Sequence, residues 1–285
     1  MNVHPKSFNA DRGYRPKQKK ASVSKPSVYF DDAAAYEAFM ERWSRSAGDI
    51  FLDWLAPPKG ACWLDVGCGT GVFTELIVDT ASPAAVSAVD PTHVQIEHAR
   101  RKPVGQRADF QIAGAEALPF PDNAFDLVVS ALVINFISDH PKALAEMRRV
   151  GRAGGTVGAY VWDFAGERSP GSLVRTGLHA IGIELPDLPG SANSGLNALR
   201  SLFERAGFEQ IATKTIDVTR SFANFDVLWH AHTPNFGPRG KSVADLSGAE
   251  RARLIDKVRA SLPASPDGSI AYSVRAHAVK ARIPA

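Results

Sequence analysis

Three glycines at alternating positions, Gly67, Gly69 and Gly71, follow the apolar run Trp63-Leu64-Asp65-Val66 and lead through Val72 and Phe73 into a helical pattern. A strand that turns this tightly into a helix needs backbone conformations and close approaches that a Cβ obstructs, which is what glycine supplies. The helix start then points free N–H groups at an anionic group such as a carboxylate. Dinucleotide-binding turns space their glycines G-x-G-x-x-G, so strict alternation argues against NAD. Asp65, inside the strand end, suits a cationic ligand group. Asp90 ends the next apolar run, where a carboxylate can accept two ribose hydroxyl hydrogen bonds.

The turn sits in a chain that alternates between two periodicities. Short apolar runs at Trp63 to Val66, Ala85 to Val89, Phe110 to Ile112, Phe125 to Ser130 and Thr156 to Trp162 read as strands. Between them, Phe73 to Asp79, Val94 to Arg101 and Pro141 to Val150 read as helices, the last with Asp139 as its expected cap. Strand alternating with helix predicts a parallel sheet. Ahead of the sheet, Tyr36, Phe39, Met40, Trp43, Ile50, Phe51, Trp54 and Leu55 recur at helical spacing until Pro57 and Pro58 stop the pattern. Beyond Trp162 a Gly/Pro/Ser-rich stretch from Gly166 to Gly195 encloses one helical pattern at Leu173 to Ile181 and reads as a cap. Leu196 to Ala206 is helical, and Glu209 to Val218 and Ile270 to Ala281 read as closing strands.

Composition narrows the partners. With 285 residues, 45% of them hydrophobic and 22% charged, the chain buries one large core or one core with a modest cap. The net charge of +3 gives no reason to expect nucleic acid or membrane as the principal partner. Residues 1–28 differ: Lys6, Arg12, Arg15, Lys17, Lys19, Lys20 and Lys25 face the single acid Asp11, and this basic tail is expected to be a disordered, solvated extension. Residues 29–285 form one expected domain, divided into an N-terminal cap helix (29–58), a cofactor-binding core (59–164) and an acceptor cap with closing strands (165–285). Cys62 and Cys68 make neither a disulfide framework nor a metal set, and no signal-peptide apolar region stands at the N-terminus, so a cytoplasmic protein without membrane insertion is expected. No metal is expected.

Taken together, Leu64-Asp65-Val66-Gly67-Cys68-Gly69-Thr70-Gly71, Val89-Asp90-Pro91, Ala115-Glu116-Ala117-Leu118-Pro119-Phe120, Phe125-Asp126-Leu127-Val128 and Arg148-Arg149-Val150 before Gly154-Gly155 resemble the class I S-adenosylmethionine-dependent methyltransferases. The likeness is to the small-molecule branch that includes the ubiquinone and menaquinone methyltransferases, and it runs from about Tyr36 to Trp162. It implies a Rossmann-like α/β fold: a mostly parallel seven-stranded sheet, helices on both faces and a last antiparallel strand. It also implies S-adenosyl-L-methionine as cofactor. The loop Gly67, Cys68, Gly69 to Gly71 would hold the methionine part and Asp90 the ribose. Pro91 and Thr92 would border the adenine, and Ala115 and Glu116 fall on the adenine-contacting loop. Ser130 ends the fourth strand, facing donor and acceptor. Many relatives carry aspartate before the Ala-Glu pair, where this chain has Gly114. The N-terminal helix resembles a segment that closes over the cofactor, so Arg42 or Arg45 is a candidate for the methionine carboxylate.

Transfer from a sulfonium methyl chiefly requires the acceptor atom in line behind the carbon, so a missing general base is tolerable. Asp163, after the fifth strand, is the leading base candidate, and a turn-capping carboxylate is its structural alternative. Trp162 would wall the acceptor site. His230 and His232 are alternatives as base or metal ligands, against ordinary packing roles. Cys68 is assigned no thiol chemistry. Three functions are weighed: methyl transfer to a small molecule, which leads; methyl transfer to nucleic acid through the basic tail; and a cofactor-binding protein without turnover. The cap between Gly166 and Gly240 is expected to decide the acceptor, whose identity and methylated atom stay open, as does the oligomeric state.

Overall fold

A computed structural model describes residues 33–188, 190–233, 237–263 and 265–285, and within these the side chains of 33–39 and 237–238 are not described. The basic tail 1–28 lies outside them. Seven strands form one sheet: β1 (Cys62–Val66), β2 (Ala85–Asp90), β3 (Asp109–Ile112), β4 (Phe125–Ala131), β5 (Gly151–Trp162), β6 (Glu209–Phe222) and β7 (Ile270–Arg282). Their order is β3-β2-β1-β4-β5-β7-β6. β1 pairs in parallel with β2 and β4, β2 with β3, and β4 with β5; β7 inserts antiparallel between β5 and β6. This is the expected mostly parallel seven-stranded sheet with a last antiparallel strand. The reversal of chain order beside β1 opens a crevice at the carboxyl ends of β1 and β4, where ligands of such sheets bind.

Helices cover both faces because the central strands are apolar on both sides. On one face α1 (Ala33–Leu55) and α2 (Val72–Thr80) bury Trp43, Phe51, Leu55, Phe73, Leu76 and Ile77 against Leu127, Val129 and Tyr160. On the other, α4 (His140–Val150) and α6 (Leu196–Arg205) bury Leu144, Met147, Leu199 and Phe203 against Val128, Val157, Val161 and Val279. A smaller cluster of Ala88, Ile96, Ala99, Val104 and Phe110 lies under α3 (His93–Arg101). As expected, the Asp139 side chain caps α4, accepting from the backbone N–H of Lys142 at 3.0 Å.

Two glycines set how closely α1 packs. A Cβ on Gly48 would stand 2.7 Å from Leu76 Cδ2, and one on Gly158 of β5 would stand 3.1 Å from Phe51 and 3.3 Å from Leu55. Neither position has room for a larger residue without moving the helix. Lys280 of β7 ties the lower end of α1 by donating to the Trp54 carbonyl at 2.6 Å. The helix therefore spans the sheet from beyond its carboxyl edge, near Trp43, to its middle, near Phe51.

The cap is more helical than the composition suggests. Besides α5 (Ser172–Ala180), it contains α7 (Phe225–His232), α8 (Gly237–Ala244) and α9 (Gly248–Ala260), which the sequence reading did not anticipate. Signals for two of them are present. Asn224 caps α7 by accepting from Val227 N–H, and Ser247 with Glu250 forms a reciprocal capping box on α9. α9 buries only Leu254 and Val258, one helical turn apart, so its apolar stripe is too thin to register as periodicity.

Phe51 is fully buried, with its ring 4.8 Å from that of Tyr160 and 5.9 Å from that of Phe73. Phe51→Ala is expected to lower stability by about 3–5 kcal/mol in urea unfolding, while Asp53→Ala, on the exposed side of the same helix, leaves it within about 0.5 kcal/mol.

Candidate active site

The glycine loop leaves β1 against the end of β2. The backbone N–H groups of Gly67 and Cys68 both donate to the Val89 carbonyl, at 2.7 and 2.9 Å. Asp90 completes the junction. Its Oδ2 accepts from Gly69 N–H at 3.0 Å and its Oδ1 from Thr92 N–H at 2.8 Å, so one carboxylate braces both loops. Gly67 has φ +80°, and a Cβ there would collide with the Val133 side chain. Gly69 has φ +53°, yet a Cβ on it would meet nothing nearer than Gln95 Oε1 at 4.0 Å. One glycine is thus demanded by a neighbour, and the other opens onto space. α2 then begins at Gly71 without any side-chain cap, which leaves its first-turn N–H groups available to a ligand.

Asp65 lies beneath this loop, fully buried. Its Oδ2 accepts from the Thr74 hydroxyl at 2.7 Å, while Oδ1 has no partner among the described residues. Burial pushes the Asp65 carboxyl from 3.8 up to about 7; the nearby charge of Asp90 adds to this and the Thr74 hydrogen bond opposes it. Asp90 is also raised by burial, against the pull of the Thr92 and Gly69 N–H groups. Burial, then the charges of Asp65 and Asp90, push the Cys68 thiol well up, so it is a neutral thiol turned toward the Gly69 carbonyl. The site gathers negative potential at its floor and free N–H groups at its rim.

The remaining expected residues fall around this centre. Pro91 is exposed, and so are Val94 and Ile112, at 62% and 47% accessibility, giving an apolar rim beyond β2 and β3. Glu116 turns back so that its Oε2 lies 3.2 Å from where a Cβ on Gly114 would stand, with Oε1 3.5 Å from the Ser138 hydroxyl. The Glu116 carboxylate therefore occupies the volume beside the glycine. Ala115 is buried in the same turn. Arg149 of α4 staples the segment that follows, donating to the Leu118 and Phe120 carbonyls and pairing with Glu146 and Asp122. Ser130 is fully buried one residue before β4 ends, its Oγ without a partner among the described residues. The chain then turns through Leu132, held at φ +62° with its N–H donating to the Tyr160 carbonyl. Such a conformation costs a non-glycine residue about 1–3 kcal/mol and gathers at functional loops.

Other candidates are placed apart from the loop. Asp163 is buried after β5, where Oδ1 accepts from Gly166 N–H at 2.7 Å and Oδ2 faces His277 Nε2 at 3.9 Å, so it braces the turn into the cap. Trp162 is buried on the α1 face. Arg45 pairs with Glu75 in the first turn of α2 at 3.1 Å, which ties the roof helix to the loop; Arg42 is exposed. His230 is exposed, whereas His232 is buried with its Nδ1 at 2.9 Å from the Leu228 carbonyl. Among the described residues no three His, Cys, Asp or Glu side chains are grouped to hold a metal ion. None of their helices is long and apolar enough to cross a membrane. Sequence reasoning missed Thr74, Gln95 and Val133. Thr74 and Gln95 recur at helical spacing from the two loops, but only the fold shows which way they point.

Fold and site together define a Rossmann-like domain of the class I S-adenosylmethionine-dependent methyltransferase type. Residues 64–158 match the family model described as a methyltransferase domain, and this segment belongs to that family. An uncharacterised protein of Mycobacterium tuberculosis is 37% identical over 131 residues, covering 46% of this chain and 48% of that one. The ubiquinone/menaquinone biosynthesis C-methyltransferase UbiE of Paracoccus denitrificans is 40% identical over 108 residues, 36% of this chain and 43% of that one. The match thus spans less than half the length of these curated relatives. A solved structure of Haemonchus contortus phosphoethanolamine N-methyltransferase 2 in complex with S-adenosyl-L-methionine superposes with a TM-score of 0.53 at 17% identity, over 91% of this chain and 60% of that one, a likeness of fold.

S-adenosyl-L-methionine is the cofactor of this family, and the residues present fit it. Gly69 opens a cradle, and buried Asp65 Oδ1 and Gln95 Oε1 lack partners among the described residues.

Because Asp65 holds its proton more tightly folded than unfolded, the folded state gains from it fully below about pH 4. That gain is lost as pH rises through about 7. In the ligand-free protein, urea unfolding is expected to show stability falling over this window by roughly 2–4 kcal/mol. Asp65→Asn, which keeps an acceptor for Thr74, flattens that contribution; an unchanged slope in the variant refutes the assignment.

Proposed function

We propose that this chain binds S-adenosyl-L-methionine and transfers its methyl group to a small-molecule acceptor by in-line displacement. The observation that carries the reading is the glycine loop latched by Asp90 above the buried, half-satisfied Asp65. Bound there, the cofactor supplies an electrophilic methyl on a cationic sulfur. The chain supplies the geometry. The α2 N-terminus and the Gly67–Gly71 loop receive the carboxylate end, and Asp65 answers the cationic end. Asp90 keeps further lone pairs for the ribose hydroxyls, since each of its oxygens carries two. Pro91, Val94 and Ile112 border the adenine, and Glu116 reaches its amino group in place of an acid at position 114. The α1 roof, fastened by Arg45 and Glu75, keeps water out.

A small acceptor is supported by the likeness to a relative named for quinone biosynthesis and by the cap packed over the carboxyl side of the sheet. Asp163 is the proposed proton acceptor for chemistry that needs one. Asp163→Asn preserves an acceptor for Gly166 N–H, so slower turnover at unchanged melting temperature marks a base, and unchanged turnover marks a turn brace.

Calorimetric titration with S-adenosyl-L-methionine and S-adenosylhomocysteine, with NAD as control, tests the cofactor directly. Both sulfur compounds are expected to bind and NAD is not. Asp90→Ala should weaken binding by about 10-fold or more, since it removes both the ribose acceptor and the loop brace. Glu116→Ala should weaken it severalfold, with Gly114→Asp in that background restoring it. NAD binding in place of the sulfur compounds overturns the reading.

A further inference from the structure

Past the carboxyl end of β5, β6 and β7 continue as a two-stranded ribbon. Trp162 pairs with Ala276, and the ribbon runs on to the Phe222–Ile270 pair. Arg220 pairs with Tyr272, four residues past Ala276 and so about 13 Å beyond the strand end. That height is the acceptor side of the sheet. The face turned toward α1 carries an aromatic cluster: Tyr272 stands edge-on to Trp43 at 6.1 Å, and the His232 ring lies 6.0 Å from Trp43, 5.4 Å from Phe222 and 5.1 Å from Tyr272. The Arg220 guanidinium lies over this cluster, 5.3 Å from the Trp43 ring centre and 5.6 Å from that of Phe222, half-buried. It forms no ion pair with any described residue.

Among the described residues, the charges that act on Arg220 and His232 are positive. Burial, and then the charge of Arg42, lower the Arg220 guanidinium. Burial takes His232 down to about 4, helped by the charges of Arg239 and Arg220 and opposed by its bond to the Leu228 carbonyl. A neutral ring therefore sits between two guanidinium groups. Arg239 reaches Gly171, which precedes the first turn of α5, so this guanidinium stands at the positive end of a helix. Folding has desolvated positive charge here and, among the described residues, pairs no carboxylate with Arg220. An anion would relieve this arrangement at least cost.

Trp43 is two residues from Arg45, whose partner Glu75 lies in the first turn after the glycine loop. The cationic cluster and the cofactor loop thus share the roof helix. Resting on the methyl-transfer reading above, we propose that Arg220 receives an anionic oxygen group of the methyl acceptor, whose aromatic or apolar body lies beside the half-buried Tyr272, while the buried rings of Trp43 and Phe222 hold the guanidinium from beneath. The acceptor class is a carboxylate or a phosphate ester. Arginine suits either, because its fork can donate two parallel hydrogen bonds to such a group.

The test titrates the full chain, saturated with S-adenosylhomocysteine, with benzoate, phenyl phosphate and benzamide by calorimetry. At least one anion is expected to bind, benzamide at least 10-fold more weakly, and the tighter anion names the source. Arg220→Met, which keeps an apolar stem over Trp43, should weaken the anion by about 10- to 100-fold while S-adenosylhomocysteine affinity stays within 2-fold, by roughly the margin expected for a distant site. Arg220→Lys should fall between parent and Met, and serves if the Met variant is unstable. Benzamide binding as tightly as benzoate, Arg220 variants binding the anions like the parent, or neither anion binding while S-adenosylhomocysteine binds, each overturns the proposal. Failure of S-adenosylhomocysteine itself to bind would instead remove the cofactor reading beneath it.

Discussion

Two oxygens of Asp90 hold the amide hydrogens of Gly69 and Thr92, and through them join the loop leaving β1 to the loop leaving β2. Parallel strands cannot be linked by a short hairpin, so their carboxyl ends would otherwise be free to splay. Here the Val89 carbonyl and the Asp90 side chain together accept three loop N–H groups. The loop's path follows from that, and with it the axis of α2, which begins at Gly71 and carries Phe73, Leu76 and Ile77 into the core. α1 docks on α2 through Gly48 and on β5 through Gly158, and Arg45 meets Glu75 only because both helices are so placed. A buried carboxylate at the edge of a sheet is costly unless hydrogen-bonded; these backbone donors offset the cost.

The site places three buried groups with different protonation tendencies close together. Asp90 has backbone donors on both oxygens, Asp65 has a single hydroxyl, and Cys68 faces two carboxylates. Their environments separate them: Asp90 is stabilised as an anion more than Asp65, and the thiol stays protonated. A cationic ligand would favour the charged form of Asp65, coupling occupancy of the loop to its ionisation. The opposite arrangement holds at the far end of the roof helix, where guanidinium groups collect around aromatic rings. The chain thereby gathers groups of opposite electrostatic character at two places along one helix.

Much of the core was legible in the residues. The alternation of periods located every strand, because buried parallel strands are short apolar runs and the amphipathic helices between them repeat at 3.6. β6 runs to Phe222 rather than Val218, since its last residues pair with β7 beyond the sheet edge and alternate in exposure without an apolar run. The Gly/Pro/Ser-rich composition of the cap predicts mostly irregular chain, yet it holds three further helices. Their stripes are thin because each adds only a few side chains to the large cluster on the α1 face, while the capping residues Asn224 and Ser247 with Glu250 are visible in the sequence. In the site, the glycines, Asp65 and Asp90 were legible from type and spacing. The bracing of Gly69 by Asp90, the packing of Val133 over Gly67 and the turn of Glu116 toward Gly114 were not, because each joins segments distant in sequence or depends on side-chain direction.

By itself the sequence determined the strand-turn-helix at residues 63–73, the alternating α/β order and the chemistry carried at the ends of β1 and β2, since these depend on local periodicity, on glycine's missing Cβ and on residue type. Only the tertiary structure decided what each polar group meets. It paired Arg45 with Glu75, set Asp163 to brace a turn beside His277, and buried His232 as a neutral ring among aromatics. It also carried Arg220 from a late strand to the roof helix beside Trp43. Those outcomes depend on burial and on contacts between residues far apart in the chain, and desolvation acts only once the chain has closed around them.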